Sequence, residues 1–174
     1  MKVIFLDFDG VLCNVESISE GYKSRISPEQ DPYGPDAECV AALNRIIEQT
    51  GAMIVVSSTW RKSRKPNASM RETLNRWGVK GEVVGTTPVL HGDEYAYKRR
   101  GCEIQQWLNT VRTPVTSFVI LDDDSDMAHL RHRLVQTAMP EGLTEADADR
   151  AIAILNAPPT DLLLDRMLRE CGAR

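Results

Sequence analysis

The sequence predicts an α/β fold: a Rossmann-like three-layer sandwich with a mostly parallel central sheet and a minimal cap or none. Three observations predict it. Short apolar runs of strand length recur along the chain, and stretches with apolar residues three and four apart separate them. The 174 residues also suit a single domain spanning 1–174, with no internal repeat and no low-complexity linker.

Lys2–Leu6 reads as a buried strand, and residues 13–35, rich in Ser, Pro, Gly and Glu, as a long flap or loop insertion. Val40, Leu43, Ile46 and Ile47 share one face of a helix closed by Thr50-Gly51, and Ala52–Val56 is a second strand. Ser69 and Glu72 form a capping box for a second helix, whose face is Met70, Leu74 and Trp77 and whose stop is Gly78. Glu82–Val84 adds a further strand. A third helix carries Ile104, Trp107, Leu108 and Val111 as a buried stripe. Ser117–Leu121 and Arg133–Thr137 complete the strands. Thr144 opens a fourth helix ending before Pro158-Pro159, and Thr160 caps a last one running towards Cys171. Strands alternating with helices imply a parallel sheet covered on both faces, with its site at the carboxyl ends of the strands.

Bulk properties exclude several classes. Hydrophobic residues at 42% and charged ones at 26% suit a folded globular chain. A net charge of −4 is not the sign of a nucleic-acid binder. The opening MKVIFLDFDG is too short and too acidic in its apolar run for a signal peptide, and no stretch suits a membrane span. Cys13, Cys39, Cys102 and Cys171 are dispersed without metal-ligand spacing, as in reduced thiols of a cytoplasmic protein.

The residues just past each strand carry the chemistry. After the first strand come Asp7-Phe8-Asp9-Gly10, two carboxylates at the mouth of a buried strand. A turn needs one Asp, so a second at that position costs desolvation without structural return. Ser117–Leu121 ends in Asp122-Asp123-Asp124-Ser125-Asp126. Two facing acidic clusters repel unless a hard cation neutralises them, and carboxylate oxygens suit Mg²⁺. Asp124 and Ser125 read better as helix N-caps. Ala52–Val56 runs into Ser57-Ser58-Thr59-Trp60-Arg61, whose hydroxyls can meet an oxyanion. Lys98-Arg99-Arg100-Gly101 precedes the third helix and offers a cation for phosphate, with a solvated basic patch as the alternative.

Two carboxylates, a hydroxyl, a cation and a second acidic cluster stand in the order of the four motifs of the haloacid dehalogenase-like (HAD) superfamily. LDFDGVL resembles its first motif closely, and the likeness spans roughly residues 1–140. VVSSTWR, RGCEIQQWL, VILDDDSDM and GLT are similar to the subfamily associated with RNA-repair proteins. The third motif departs: the superfamily's usual lysine is matched by Arg100, with Lys98 or Arg99 as alternatives.

The resemblance implies a Mg²⁺-dependent phosphatase with Asp7 as nucleophile and Asp9 as acid and base. It implies a metal held by the Asp7 carboxylate, the Asp9 backbone carbonyl, Asp122 and Asp123, and phosphate bound by Ser57, with Ser58 as substitute, and Arg100. Asp126 either orients the metal shell or caps a helix. Arg61, Lys62, Arg64, Lys65, Lys98–Arg100 and Arg131–Arg133 suggest a basic rim for a phosphorylated substrate, a nucleic-acid 3′-phosphate end among them. Trp60 either stacks on a base or packs in the core. The alternatives are a nucleotide or sugar phosphatase, a phosphomutase, and a catalytically weak regulatory or helper domain in a repair complex. The chain has no GxxxxGK[ST] phosphate loop, no membrane partner and no evident obligate protein partner.

Overall fold

A central sheet of five parallel strands organises the computed structural model, in the order β3-β2-β1-β4-β5. Its described residues are 1–17, 34–62, 67–92 and 99–157. The strands are β1 (Lys2–Leu6), β2 (Met53–Val56), β3 (Val83–Thr86), β4 (Ser117–Asp122) and β5 (Leu134–Gln136). The helices are α1 (Ala37–Thr50), α2 (Asn67–Arg76), α3 (Arg99–Thr110) and α4 (Glu145–Asn156). Among the described residues, 3₁₀ turns at Thr59–Lys62 and Ala128–Arg133 follow β2 and precede β5.

Alternation along β1 shows how the layers form. Val3 and Phe5 join a core cluster with Ile104 of α3, Leu130 of the second 3₁₀ turn and Met127 just before that turn. Ile4 and Leu6 point the other way, into a larger cluster with α1, α2 and α4. All four are fully buried; a side chain of this size contributes about 1.5–3 kcal/mol relative to exposure. β1 pairs with β2 through Val3↔Met53 and with β4 through Lys2↔Ser117, so it is the sheet's central strand.

Helix boundaries have local causes. The Asp36 carboxylate accepts the N–H groups of Glu38 and Cys39 at 2.8 and 3.1 Å and opens α1. Gly51, at φ 65°, closes it by donating to Ile47 O at 2.8 Å. Thr144 and Asp147 form the capping box of α4. The Ser69–Glu72 box is a correction: α2 begins at Asn67, so Ser69 lies within its first turns. The spacing of Met70 and Leu74 defines a helix's face but not its first residue. The final helix, Cys171 and most of the 13–35 segment fall outside the described residues. No helix among the described residues is long and apolar enough to cross a membrane.

Candidate active site

The chain leaves β1 towards β2 on one side, while β4 lies on the other, and the crevice between β1 and β4 opens at their carboxyl ends. Ladder bonds continue past the strand ends: Asp7 N–H donates to Leu121 O at 3.0 Å, Ser57 N–H to Leu6 O at 2.9 Å and Thr137 N–H to Asp122 O at 3.1 Å. Asp7, Ser57 and Asp122 are thereby held by backbone bonds that extend the sheet.

Asp7 is buried, and both its oxygens are engaged. Phe8 N–H donates to Oδ1 at 2.7 Å, and Arg100 Nη2 donates to Oδ2 at 2.9 Å. Arg100 also donates from Nη1 to Ser57 O, and its Nε lies 3.5 Å from Asp122 Oδ2. Of the two described members of the basic triple, Arg100 is therefore the one that meets the acidic residues. Arg99 turns to Gly92 O at 3.3 Å, and Lys98 lies outside the described residues. Burial works against the Arg100 charge, yet Asp7, Asp122 and Asp126 together hold its pKa above the ordinary value.

Asp122 is fully buried at the end of β4. Asp124 N–H donates to its Oδ1 at 3.0 Å, while Oδ2 has no hydrogen bond. Burial pushes the Asp122 carboxyl up to about 8; Arg100 opposes this and Asp7 adds to it. Burial and Asp7 likewise raise Asp123. One oxygen from each of Asp7, Asp122 and Asp123 lies within 4.8 Å of the others. Three convergent carboxylates, one with an unsatisfied buried oxygen, fit a hard divalent cation such as Mg²⁺. The trio does not include the Asp9 carboxylate, whose Oδ2 accepts the Trp60 indole N–H at 2.9 Å.

Ser57 and Ser58 are both fully buried. Ser57 Oγ has no hydrogen-bond partner, whereas Ser58 Oγ accepts Trp60 N–H at 3.3 Å, so the two hydroxyls differ in availability. Asp126 acts as a cap: its Oδ2 accepts Arg100 N–H and its carbonyl accepts Gly101 N–H, both at 3.2 Å. It thus fastens the first turn of α3, the element that carries Arg100. Asp124 and Ser125 are a correction. Both are exposed, and the turn after them starts from Met127 with no side-chain cap.

One buried residue beside the site, Glu103, was not singled out in the sequence. Glu103 is buried against Arg61, which donates to it and to the carbonyls of Ser57, Ser58, Thr87 and Pro88. The signal lay in α3, where Arg100 and Glu103 share the i, i+3, i+4 stripe of Ile104 and Trp107. Arg61 is consequently no rim cation, and Arg133 is buried with its guanidinium 5.4 Å from the Phe118 ring centroid. Lys62, Arg131 and His132 are exposed; Arg64 and Lys65 lie outside the described residues.

Two glycines permit close approach. Gly10, at φ +72°, leaves room for the Asp123 carboxylate, and a Cβ at Gly101 would overlap the Met127 carbonyl. Gly101→Ala is expected to cost about 1–3 kcal/mol, the range for forced overpacking, and to draw Arg100 from Asp7. Chemical denaturation of the variant checks the first effect; unchanged stability would mean that α3 shifts without penalty.

Trp60 packs edge-on against Phe8 and Trp77, so core packing prevails over a free stacking surface. No curated protein matches the sequence. Residues 3–148 match the family described as the HAD domain in Swiss Army Knife RNA repair proteins. With the match covering most of the chain and the parallel sheet placing the acidic motifs at one crevice, the protein belongs to that family of HAD domains.

Proposed function

We propose that the protein is a Mg²⁺-dependent phosphomonoester hydrolase that works through an aspartyl-phosphate on Asp7 and acts on nucleic-acid 3′-phosphate ends. The observation that carries the proposal is the convergence of Asp7, Asp122 and Asp123 with Arg100 seated on the Asp7 carboxylate. Asp7, Asp122 and Asp123, with the Asp9 backbone carbonyl, would hold the ion. Bound there, Mg²⁺ would screen the approach of one anion to another and spread developing charge.

The chain's own groups then divide the work. The Asp7 carboxylate attacks phosphorus as the bond to the leaving oxygen breaks, and Asp9 delivers a proton to that oxygen. Arg100 exchanges its contact with Asp7 Oδ2 for the transferring phosphoryl oxygens, and Ser57 Oγ supplies a further contact. Asp9 next takes a proton from water attacking the aspartyl-phosphate, which frees Asp7 and releases inorganic phosphate. The nucleic-acid end rests on the family's association with RNA repair. A small phosphate, nucleotide or sugar, is the second reading, favoured by the burial of Arg61 and Arg133 away from the rim.

Phosphate release from aryl phosphate, mononucleotides, sugar phosphates and oligonucleotides with 3′- or 5′-phosphates, with and without Mg²⁺, tests the proposal. Mg²⁺-dependent preference for the 3′-phosphorylated oligonucleotide is the expected result. Preference for small phosphates would replace the substrate, and no release from any would overturn the enzyme.

Metal binding has its own signature. Because burial raises the Asp122 pKa in the folded state, its contribution to metal-free stability is greatest below the ordinary aspartate value. It is lost as pH rises through the raised value of about 8. Mg²⁺ must displace that proton, so its stabilisation should grow with pH. It should reach about 2.7 kcal/mol at a hundredfold excess over Kd. Thermal unfolding between pH 6 and pH 8 checks this, and Asp122→Ala should remove the Mg²⁺ increment. An increment that survives in Asp122→Ala would place the ion elsewhere.

A further inference from the structure

We infer that Trp60 is the positioning residue for Asp9, assigning different tasks to the two oxygens of that carboxylate; the inference rests on the phosphatase reading above. The Trp60 indole Nε1–H lies 2.9 Å from Asp9 Oδ2. An indole N–H can only donate, so Oδ2 must accept, and Oδ1 is the oxygen left to carry a proton. Asp9 is only partly buried, so a bond of this geometry biases its rotation.

The indole is itself immobilised. Its ring centroid stands 5.4 Å from that of Phe8 at 77° and 5.8 Å from that of Trp77 at 76°, while Phe8 and Trp77 are 5.4 Å apart at 66°. These edge-to-face contacts close a cluster of three rings. Phe8 is the residue between Asp7 and Asp9, and its N–H donates to Asp7 Oδ1 at 2.7 Å. One aromatic cluster therefore sets the acid relative to the nucleophile. Trp60 also sits in the 3₁₀ turn beyond Ser57 and Ser58, which Arg61 clamps through their carbonyls. The hydroxyl loop and the acid thus share one rigid support.

A positioning role predicts a dependence on the leaving group that a packing role does not. An alkyl phosphate expels a basic oxygen and needs its proton; 4-nitrophenyl phosphate expels a stable anion and needs it far less. Trp60→Phe keeps a ring against Phe8 and removes the N–H. It should lose about tenfold in kcat on the alkyl phosphate and less than about threefold on 4-nitrophenyl phosphate, a fraction of the 10²–10⁴ that a general acid contributes. Asp9→Asn should show the same pattern more strongly. Equal losses on both substrates in Trp60→Phe would overturn the inference. Equal losses in Asp9→Asn would remove Asp9 as the acid. With the 3′-phosphorylated oligonucleotide as the alkyl phosphate, no wild-type turnover on it or on 4-nitrophenyl phosphate would remove the phosphatase reading.

A measurement free of turnover guards against a merely unstable variant. In ¹⁵N-labelled protein, the indole N–H resonance absent from Trp60→Phe identifies Trp60. Asp9→Ala should shift that resonance and quicken its hydrogen exchange while the other two indoles stay in place. A resonance unmoved in folded Asp9→Ala would overturn the contact itself.

Discussion

Asp7→Asn is expected to lower phosphate release by about 10⁴-fold or more, the scale on which enzymes lose rate when a nucleophile is removed. The substitution exchanges one oxygen for an amide and leaves the shape of the side chain intact. Its remaining oxygen can still accept Phe8 N–H, now at 2.7 Å. Arg100 loses its partner at Asp7 Oδ2 but keeps Ser57 O and Asp122. Removing one charge also relieves repulsion within the trio of Asp7, Asp122 and Asp123. The fold should therefore survive, with Tm close to that of the wild type, while turnover disappears. Single-turnover assays beside thermal unfolding separate the two effects. Full activity in Asp7→Asn would show that another group attacks phosphorus.

The largest effect on stability is expected at Glu103. Its carboxylate pairs with Arg61, and both side chains are 2% exposed. It also accepts Leu90 N–H at 3.0 Å, tying the segment after β3 to α3. Burial already pulls the Arg61 guanidinium below its ordinary pKa, and Glu103 is the foremost charge opposing that pull. Glu103→Ala strands a buried cation and an amide donor together. Breaking one side of such a pair costs about 3–5 kcal/mol, or roughly 10 °C in Tm for a chain of this size. Glu103→Gln keeps an acceptor and should cost less. Urea denaturation of both variants decides the matter: a loss below about 1 kcal/mol in Glu103→Ala would make the pair a bystander. Any activity left in Glu103→Ala should also fall, because Arg61 holds the carbonyls of Ser57 and Ser58.

Local pattern carries the fold. β1 is legible at its observed bounds, and β2 and β4 to within a residue at either end, because buried strands appear as apolar runs. β5, half-buried and ending in the exposed Gln136, is read to within a residue as well. β3 reads one residue early and two short, since Gly85 and Thr86 lack the apolar side chains that mark a strand. Capping chemistry gives the start of α4 correctly and that of α2 incorrectly. The difference is physical: the Thr144 hydroxyl closes a reciprocal box with Asp147, whereas α2 begins upstream of Ser69.

From the sequence alone come the parallel α/β class, the acidic residues after β1 and β4, and the hydroxyls after β2. Each of these is written in contiguous residues, where strand length and the polarity beyond it are visible together. Only the tertiary structure separates Arg100 from Arg99, because the difference depends on which side chain α3 turns towards Asp7. It also moves Arg61 from the rim to the interior, gives Asp126 to the cap of α3 and sets Trp60 against Asp9. These last are contacts between residues 26 to 51 positions apart, and a side chain's partner at such distances is set by how helices pack on the sheet, which no local pattern records.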